Sequence, residues 1–310
     1  MGRVEEKRMG ALCFCIMGTL AIVFLCRVNW LLSVGLCLGS CLFLCFGEPF
    51  VAEEENTLQR ILSYGILLWN ILLMGKIARE LAWIETTDSP LPGILLLLLC
   101  CYGVGKRDLL SVGAVIALVM LVTMGILFLF SLPAMEVHRL FPKTVGDLSV
   151  IPFGFYPTIL LYLYKRKEKF ASLPWLLGAL LLVMAVGLVT AALGARDFYT
   201  ASQSVNLLGT MERLEPFVAA LATAGGFCTV GTLFLVNRKI RGHGEREKRF
   251  SSGSAEFLLA VGVCLLSPGI PTRWWAVGTT VSWGVIPVIQ QGIVVYKKIQ
   301  KNQKKSEKSA

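Results

Sequence analysis

Ile94-Leu95-Leu96-Leu97-Leu98-Leu99-Cys100-Cys101 carries no charged side chain and no alternation of apolar with polar positions. A strand of a transmembrane barrel would alternate, because its two faces meet lipid and lumen. An unbroken apolar run reads instead as a helix in lipid, where each backbone N–H and C=O must be paired within its own segment. Leu176 to Met184 reads the same way. Similar runs recur near 9–26, 28–47, 59–83, 90–104, 109–132, 148–164, 173–194, 213–236, 255–268 and 275–296, and a bilayer core is crossed by about 20 such residues.

Composition agrees. The chain has 310 residues, 55% hydrophobic and 16% charged, with a mean hydropathy of +0.68, more apolar surface than one soluble core encloses. The expectation is an all-α integral membrane protein of about ten transmembrane helices. One transmembrane domain covers 1–296, and a basic tail of low complexity, 297–310, is expected to be disordered on the cytoplasmic side.

The loops between runs alternate in charge. Twenty-two Lys and Arg fall on one side (Arg3, Lys7, Arg8, Arg60, Lys106, Arg107, four in Lys165–Lys169, six in Arg238–Arg249 and six in Lys297–Lys308). The other side has five: Arg27, Arg139, Lys143, Arg196 and Arg273. The richer side is cytoplasmic by the positive-inside rule, so both termini are cytoplasmic. The net charge of +10 thus reflects topology and contact with the lipid bilayer, and no nucleic-acid partner is expected. The first run follows a short basic start but no small-residue cleavage site follows it, so it reads as a retained span. Trp30, Trp83, Trp274 and Trp275 fall at expected outer boundaries and Trp175 at an inner one, as in an aromatic belt.

Enzymatic chemistry finds little footing. The loops are too short for a separate catalytic domain, and the two histidines, His138 and His243, fall on opposite sides of the membrane, which excludes a histidine-based triad. Gly103-Val104-Gly105-Lys106 lacks the spacing of a phosphate loop. The ten cysteines lie in or beside apolar runs without metal-ligand spacing and read as small core hydrophobes, acylation of Cys100-Cys101 being the lesser alternative. The chain is expected to be no enzyme and to need no cofactor or metal.

Candidate sites lie inside the bundle. The sixth run opens with Val150-Ile151-Pro152-Phe153-Gly154-Phe155-Tyr156-Pro157; proline removes a donor and clashes with the preceding turn, so this helix should kink or unwind. Unwound backbone at membrane depth is tolerated where it lines a cavity. Lys76 and Glu80, four apart, share a face of the third run; Glu212 and Glu215, three apart, share a face where the eighth begins, with Arg79 and Arg213 nearby. Charges at such depth usually face partners or water. Gly35 and Gly39 form a GxxxG that would let another helix approach closely.

Asp197-Phe198-Tyr199-Thr200 through Leu207-Leu208-Gly209-Thr210-Met211-Glu212-Arg213-Leu214-Glu215-Pro216-Phe217 resembles the B-type subunit of spore germinant receptors, the GerAB-like branch of the amino acid–polyamine–organocation transporter superfamily. Thr87 to Gly93 with the run to Arg107, and Pro152 to Tyr164 followed by Lys165-Arg166-Lys167, are similar to two further segments of that family. The resemblance implies a LeuT-like five-plus-five inverted repeat, with the first and sixth helices discontinuous around a central ligand site. It implies a spore germination protein of the bacterial spore inner membrane that binds a small nutrient such as an amino acid and has A- and C-type receptor subunits as partners. Ligand contacts would come from Gly18, Thr19, Pro152, Phe153, Gly154 and Phe155; Lys76, Glu80, Glu212, Arg213 and Glu215 would gate the site or dock a partner. The first run departs from the family pattern, with a lone Gly18-Thr19 where a longer glycine-containing break is usual. The alternative is an amino-acid permease, a secondary transporter proton-coupled through an acidic group such as Glu215.

Overall fold

The computed structural model describes residues 2–25, 30–47, 57–86, 89–103, 105–136, 139, 152–163, 173–195, 198–204, 215–241 and 253–309. Among them every regular element is helical: α1 (Gly2–Phe24), α2 (Trp30–Phe46), α3 (Thr57–Thr86), α4 (Leu91–Gly103), α5 (Lys106–Ser131), α6 (Tyr156–Ile159), α7 (Leu173–Ala192), α8 (Phe198–Ser204), α9 (Glu215–Ile240), α10 (Gly253–Leu266), α11 (Thr272–Thr279) and α12 (Ile286–Ser309). Six stretches, Lys7–Phe24, Thr57–Ile84, Asp108–Ser131, Leu173–Ala192, Pro216–Ile240 and Thr272–Gln300, are long and apolar enough to cross a membrane. Four shorter apolar helices, Trp30–Phe46, Leu91–Cys101, Phe153–Tyr162 and Ser254–Gly269, fall on the remaining runs.

Burial separates centre from rim. Of Lys7–Phe24, 83% is buried, against 28% of Asp108–Ser131. Helix α1 is therefore the axis of the bundle, packed by α5, α7 and α9, while α5 turns Val115, Leu118 and Leu129 outward. In lipid such exposure costs nothing, and helices associate through close packing and hydrogen bonds. Glycines supply the closeness. A Cβ on Gly225 of α9 would lie 1.8 Å from Thr19 Oγ1 of α1, and one on Gly18 would lie 2.2 Å from Met120 Sδ of α5.

Helix α3 is held on three sides by the same device. A Cβ on Gly75 would lie 2.4 Å from Ala260 O of α10; one on Gly93 of α4, 2.4 Å from Ala78 O; one on Gly226 of α9, 2.2 Å from a Leu81 methyl. Gly35 and Gly39 have nothing within 4 Å. The GxxxG of α2 thus faces outward, and no described helix uses it.

Several expectations change here. Helix α1 runs unbroken through Gly18-Thr19, so no half-helix ends are exposed there; Thr19 Oγ1 donates to Cys15 O at 2.9 Å within the helix. The stretch from Lys297, expected to be disordered, continues α12 to Ser309, since Lys, Gln and Glu are good helix formers and propagate an existing helix readily. Trp30 and Trp275 are buried instead of standing in a belt, whereas Trp83 and Trp274 are exposed. Cys100 and Cys101 are buried, which removes them from acylation. Helix α7 ends in a Schellman turn: Ala195 N–H donates to Thr190 O and Gly194 N–H to Ala191 O, with Gly194 at φ +69°, a conformation that glycine adopts without strain.

Candidate functional site

The described part of the sixth run, from Pro152, is irregular helix without a gap: a 3-10 turn at Phe153–Phe155, the single α turn of α6, and another 3-10 turn at Leu160–Tyr162. Gly154 sets it against α2, where a Cβ would come within 3.0 Å of Cys37 N and Ser33 O. Its other side faces a π-helical segment, Thr280–Val285, between α11 and α12. Pro287 accounts for that segment. It has no N–H, and its ring clashes with the carbonyl four residues back, that of Trp283. The freed Trp283 carbonyl accepts from Thr158 Oγ1 of α6, so two irregular helices satisfy each other.

From this junction a buried polar seam runs along α3. Trp283 Nε1 donates to Asn70 Oδ1 at 2.9 Å, and Asn70 Nδ2 donates to Asn237 Oδ1 of α9 at 3.0 Å. Further toward the Thr57 end, Tyr162 OH donates to Gln290 Oε1 at 2.6 Å, and Gln290 Nε2 donates to Ser63 Oγ at 2.9 Å. Lys297 Nζ closes the series on Gln59 Oε1 at 2.9 Å. The seam joins α3, the sixth run, α9 and α12.

Two buried polar atoms in it are unsatisfied among the described residues, Tyr156 OH and Asn237 Nδ2. The Tyr156 ring stands edge-on to Trp283, centroids 5.2 Å apart. Thr232 lies beside the hydroxyl and itself donates to Cys228 O at 2.7 Å. A buried polar group left without a partner costs about 1–3 kcal/mol.

Two charged clusters flank the seam. On α3, Lys76 and Glu80 form an ion pair, with side chains 9% and 29% exposed, and Lys76 Nζ lies 5.9 Å from the Trp275 ring centroid. At the opposite end of the bundle, Arg241 after α9 pairs with buried Glu256 in the first turn of α10, and Arg238 Nη2 donates to Cys101 O at 2.9 Å. Glu256 also profits from the partial positive charge of the helix N-terminus.

Of the residues expected to meet ligand, Pro152 to Phe155 lie at the junction, with Phe155 against Gly284 of the π segment. Gly18 and Thr19 serve the packing of α1. Lys76 and Glu80 pair with each other instead of across helices. Glu212 and Arg213 lie outside the described residues, and Glu215 is described only as the first residue of α9. A cavity between α5, α7 and Phe198 is lined by apolar side chains, among them Met124, Leu127 and Val189, and offers a charged ligand no side-chain partner.

Gln59, Ser63, Asn70, Asn237, Trp283, Gln290 and the Glu256–Arg241 pair were not singled out from sequence. A signal existed for some: Gln59, Ser63 and Asn70 share one face of α3, and Pro287 stands four residues after Trp283. Among the described residues, fold and site together define an all-helical bundle of membrane-protein type with an irregular inner helix and a buried polar junction. No known family profile and no curated protein matches the chain.

Proposed function

We propose that the chain is a GerAB-like B-type membrane subunit of a spore germinant receptor, a non-enzymatic protein binding a small nutrient such as an amino acid within a transporter-like bundle. Its ten apolar helices would form a five-plus-five inverted repeat in the spore inner membrane, both termini cytoplasmic, assembled with A- and C-type subunits. The observation that carries this reading is the irregular, largely buried helical stretch from Phe153 to Tyr162, packed on a π-helical partner and bordered by Tyr156 OH and Asn237 Nδ2. Transporter folds place ligands where discontinuous helices leave backbone groups uncommitted. Pull-down of the tagged chain from spore membranes tests it. Co-purification of a lipoprotein and a second multi-span subunit is expected; recovery of the chain alone overturns the receptor reading.

A second reading, a proton-coupled amino-acid permease, draws on Glu256. Its side chain is 4% exposed and paired with Arg241, a buried acidic group of the kind that marks ion and proton paths in membrane bundles. Uptake of labelled amino acids into proteoliposomes that collapses with the proton gradient would favour this reading; saturable binding without flux would exclude it.

A further inference from the structure

We infer that Lys76, Glu80 and Trp275 form the recognition site for the charged backbone of an α-amino acid, entered from the Glu80 side. The inference rests on the nutrient-binding reading above and assigns its ligand to Lys76 and Glu80, which the sequence gave to gating, and to Trp275, which it gave to the aromatic belt.

The argument is a count of donors and acceptors. Lys76 Nζ is a three-donor group with one hydrogen-bond acceptor among the described residues, Glu80 Oε1, and its side chain is nine-tenths buried. Trp275 is 2% exposed, and its indole N–H has no acceptor among the described residues, although the ring stands beside the same ammonium and against Trp69, centroids 5.8 Å apart. Among the described residues the cluster therefore has more donors than Glu80 accepts. A carboxylate supplies that acceptor, receiving from Lys76 and Trp275 together. Glu80, the more exposed partner, then turns its carboxylate to a cation.

The ion pair fixes the spacing of the ligand's charges. Lys76 and Glu80 are in direct contact one helical turn apart, so a ligand that replaces the contact must carry its anion and cation side by side. An α-amino acid does so, with one carbon between carboxylate and ammonium; γ-aminobutyrate does not. The site is also held still. Gly75, Ala78 and Leu81 lock this part of α3 against α10, α4 and α9, so the helix carrying both charges is fixed while the ligand enters.

The test is equilibrium binding to the full chain in lipid nanodiscs. The probe is a mixture of the standard L-α-amino acids quantified by mass spectrometry, with γ-aminobutyrate, propionate and propylamine as comparison ligands. At least one α-amino acid should bind saturably while the three comparison ligands do not. Trp275→Phe keeps the ring and removes the N–H, so it should weaken binding about tenfold, the worth of one charge-assisted hydrogen bond. Glu80→Gln should weaken the α-amino acid at least as much and, by leaving Lys76 without its counter-charge, admit propionate. Binding unchanged in both variants overturns the site and leaves the receptor reading standing. Absence of binding by any α-amino acid, or equal binding of γ-aminobutyrate, overturns the ligand class in wild-type protein, whatever the variants do. The receptor reading itself stands or falls on co-purification of its partner subunits.

Discussion

Trp283 and Asn70 meet inside the bundle, the indole N–H of one on the amide oxygen of the other at 2.9 Å, and Asn70 passes a hydrogen bond on to Asn237. One side chain thus ties α3 to both α9 and the π segment. Asn70→Leu leaves two buried polar groups without their partner. The expected cost is about 1–3 kcal/mol, read as a fall of several degrees in the melting temperature of the purified protein. Because the groups act as one network, Asn70→Leu with Trp283→Phe should cost less than the sum of the single changes; strict additivity would show that the bonds are independent.

The glycines divide into two kinds. Gly225→Ala drives a methyl into the Thr19 hydroxyl and should cost roughly 1–3 kcal/mol, the usual penalty of overpacking. Thr19→Ala in the same chain should recover part of the loss. Gly35→Ala, on the open face of α2, should leave the melting temperature of the isolated chain unchanged or slightly raised. Equal losses at Gly225 and Gly35 would contradict the packing described.

Arg241→Gln strands Glu256, whose side chain is 4% exposed. Breaking a buried pair from one side costs about 3–5 kcal/mol, enough to be seen as loss of monodisperse protein on size-exclusion chromatography. Glu256→Gln added to Arg241→Gln should restore the peak, since no charge is then left unpaired. A double variant as poor as the single would mean that Arg241 acts by packing alone.

Pro287→Ala should let the π segment relax toward α-helix by returning a donor to the Trp283 carbonyl. Thr158→Val should destabilise the wild-type chain by about 1 kcal/mol and have little effect once Pro287 is replaced. Thermal denaturation of the four combinations measures the coupling, and an undiminished Thr158→Val effect in the Pro287→Ala chain refutes the link.

Much of this architecture was legible in the sequence. Apolar runs marked the helices because lipid demands length and hydrophobicity, and Pro152 and Pro157 marked the irregular helix because proline lacks the donor that regular α-helix requires. Lys76 and Glu80 were legible as a pair since their spacing is that of one helical turn. The polar seam was not. Asn70, Asn237 and Gln290 are single residues in separate apolar runs, and their meaning arises only when α3, α9 and α12 are brought together. Gly35-Leu36-Cys37-Leu38-Gly39 misled for the converse reason, since small residues permit close approach without requiring it. The continuity of α1 was hidden too: Gly18 is as compatible with a break as with tight packing, and Met120, which decides for packing, lies about a hundred residues away.

The burial of α1 bears on how the molecule is made. The helix that becomes the axis is synthesised before α5, α7 and α9, the three that enclose it. Until Glu215–Ile240 has followed, the Thr19 side of this helix waits in the bilayer without its last neighbour, a contact of long sequence separation whose closure is slow. Assembly of this protein is therefore a wrapping of later segments around an earlier one, and a chain halted before α9 leaves its own centre exposed to lipid.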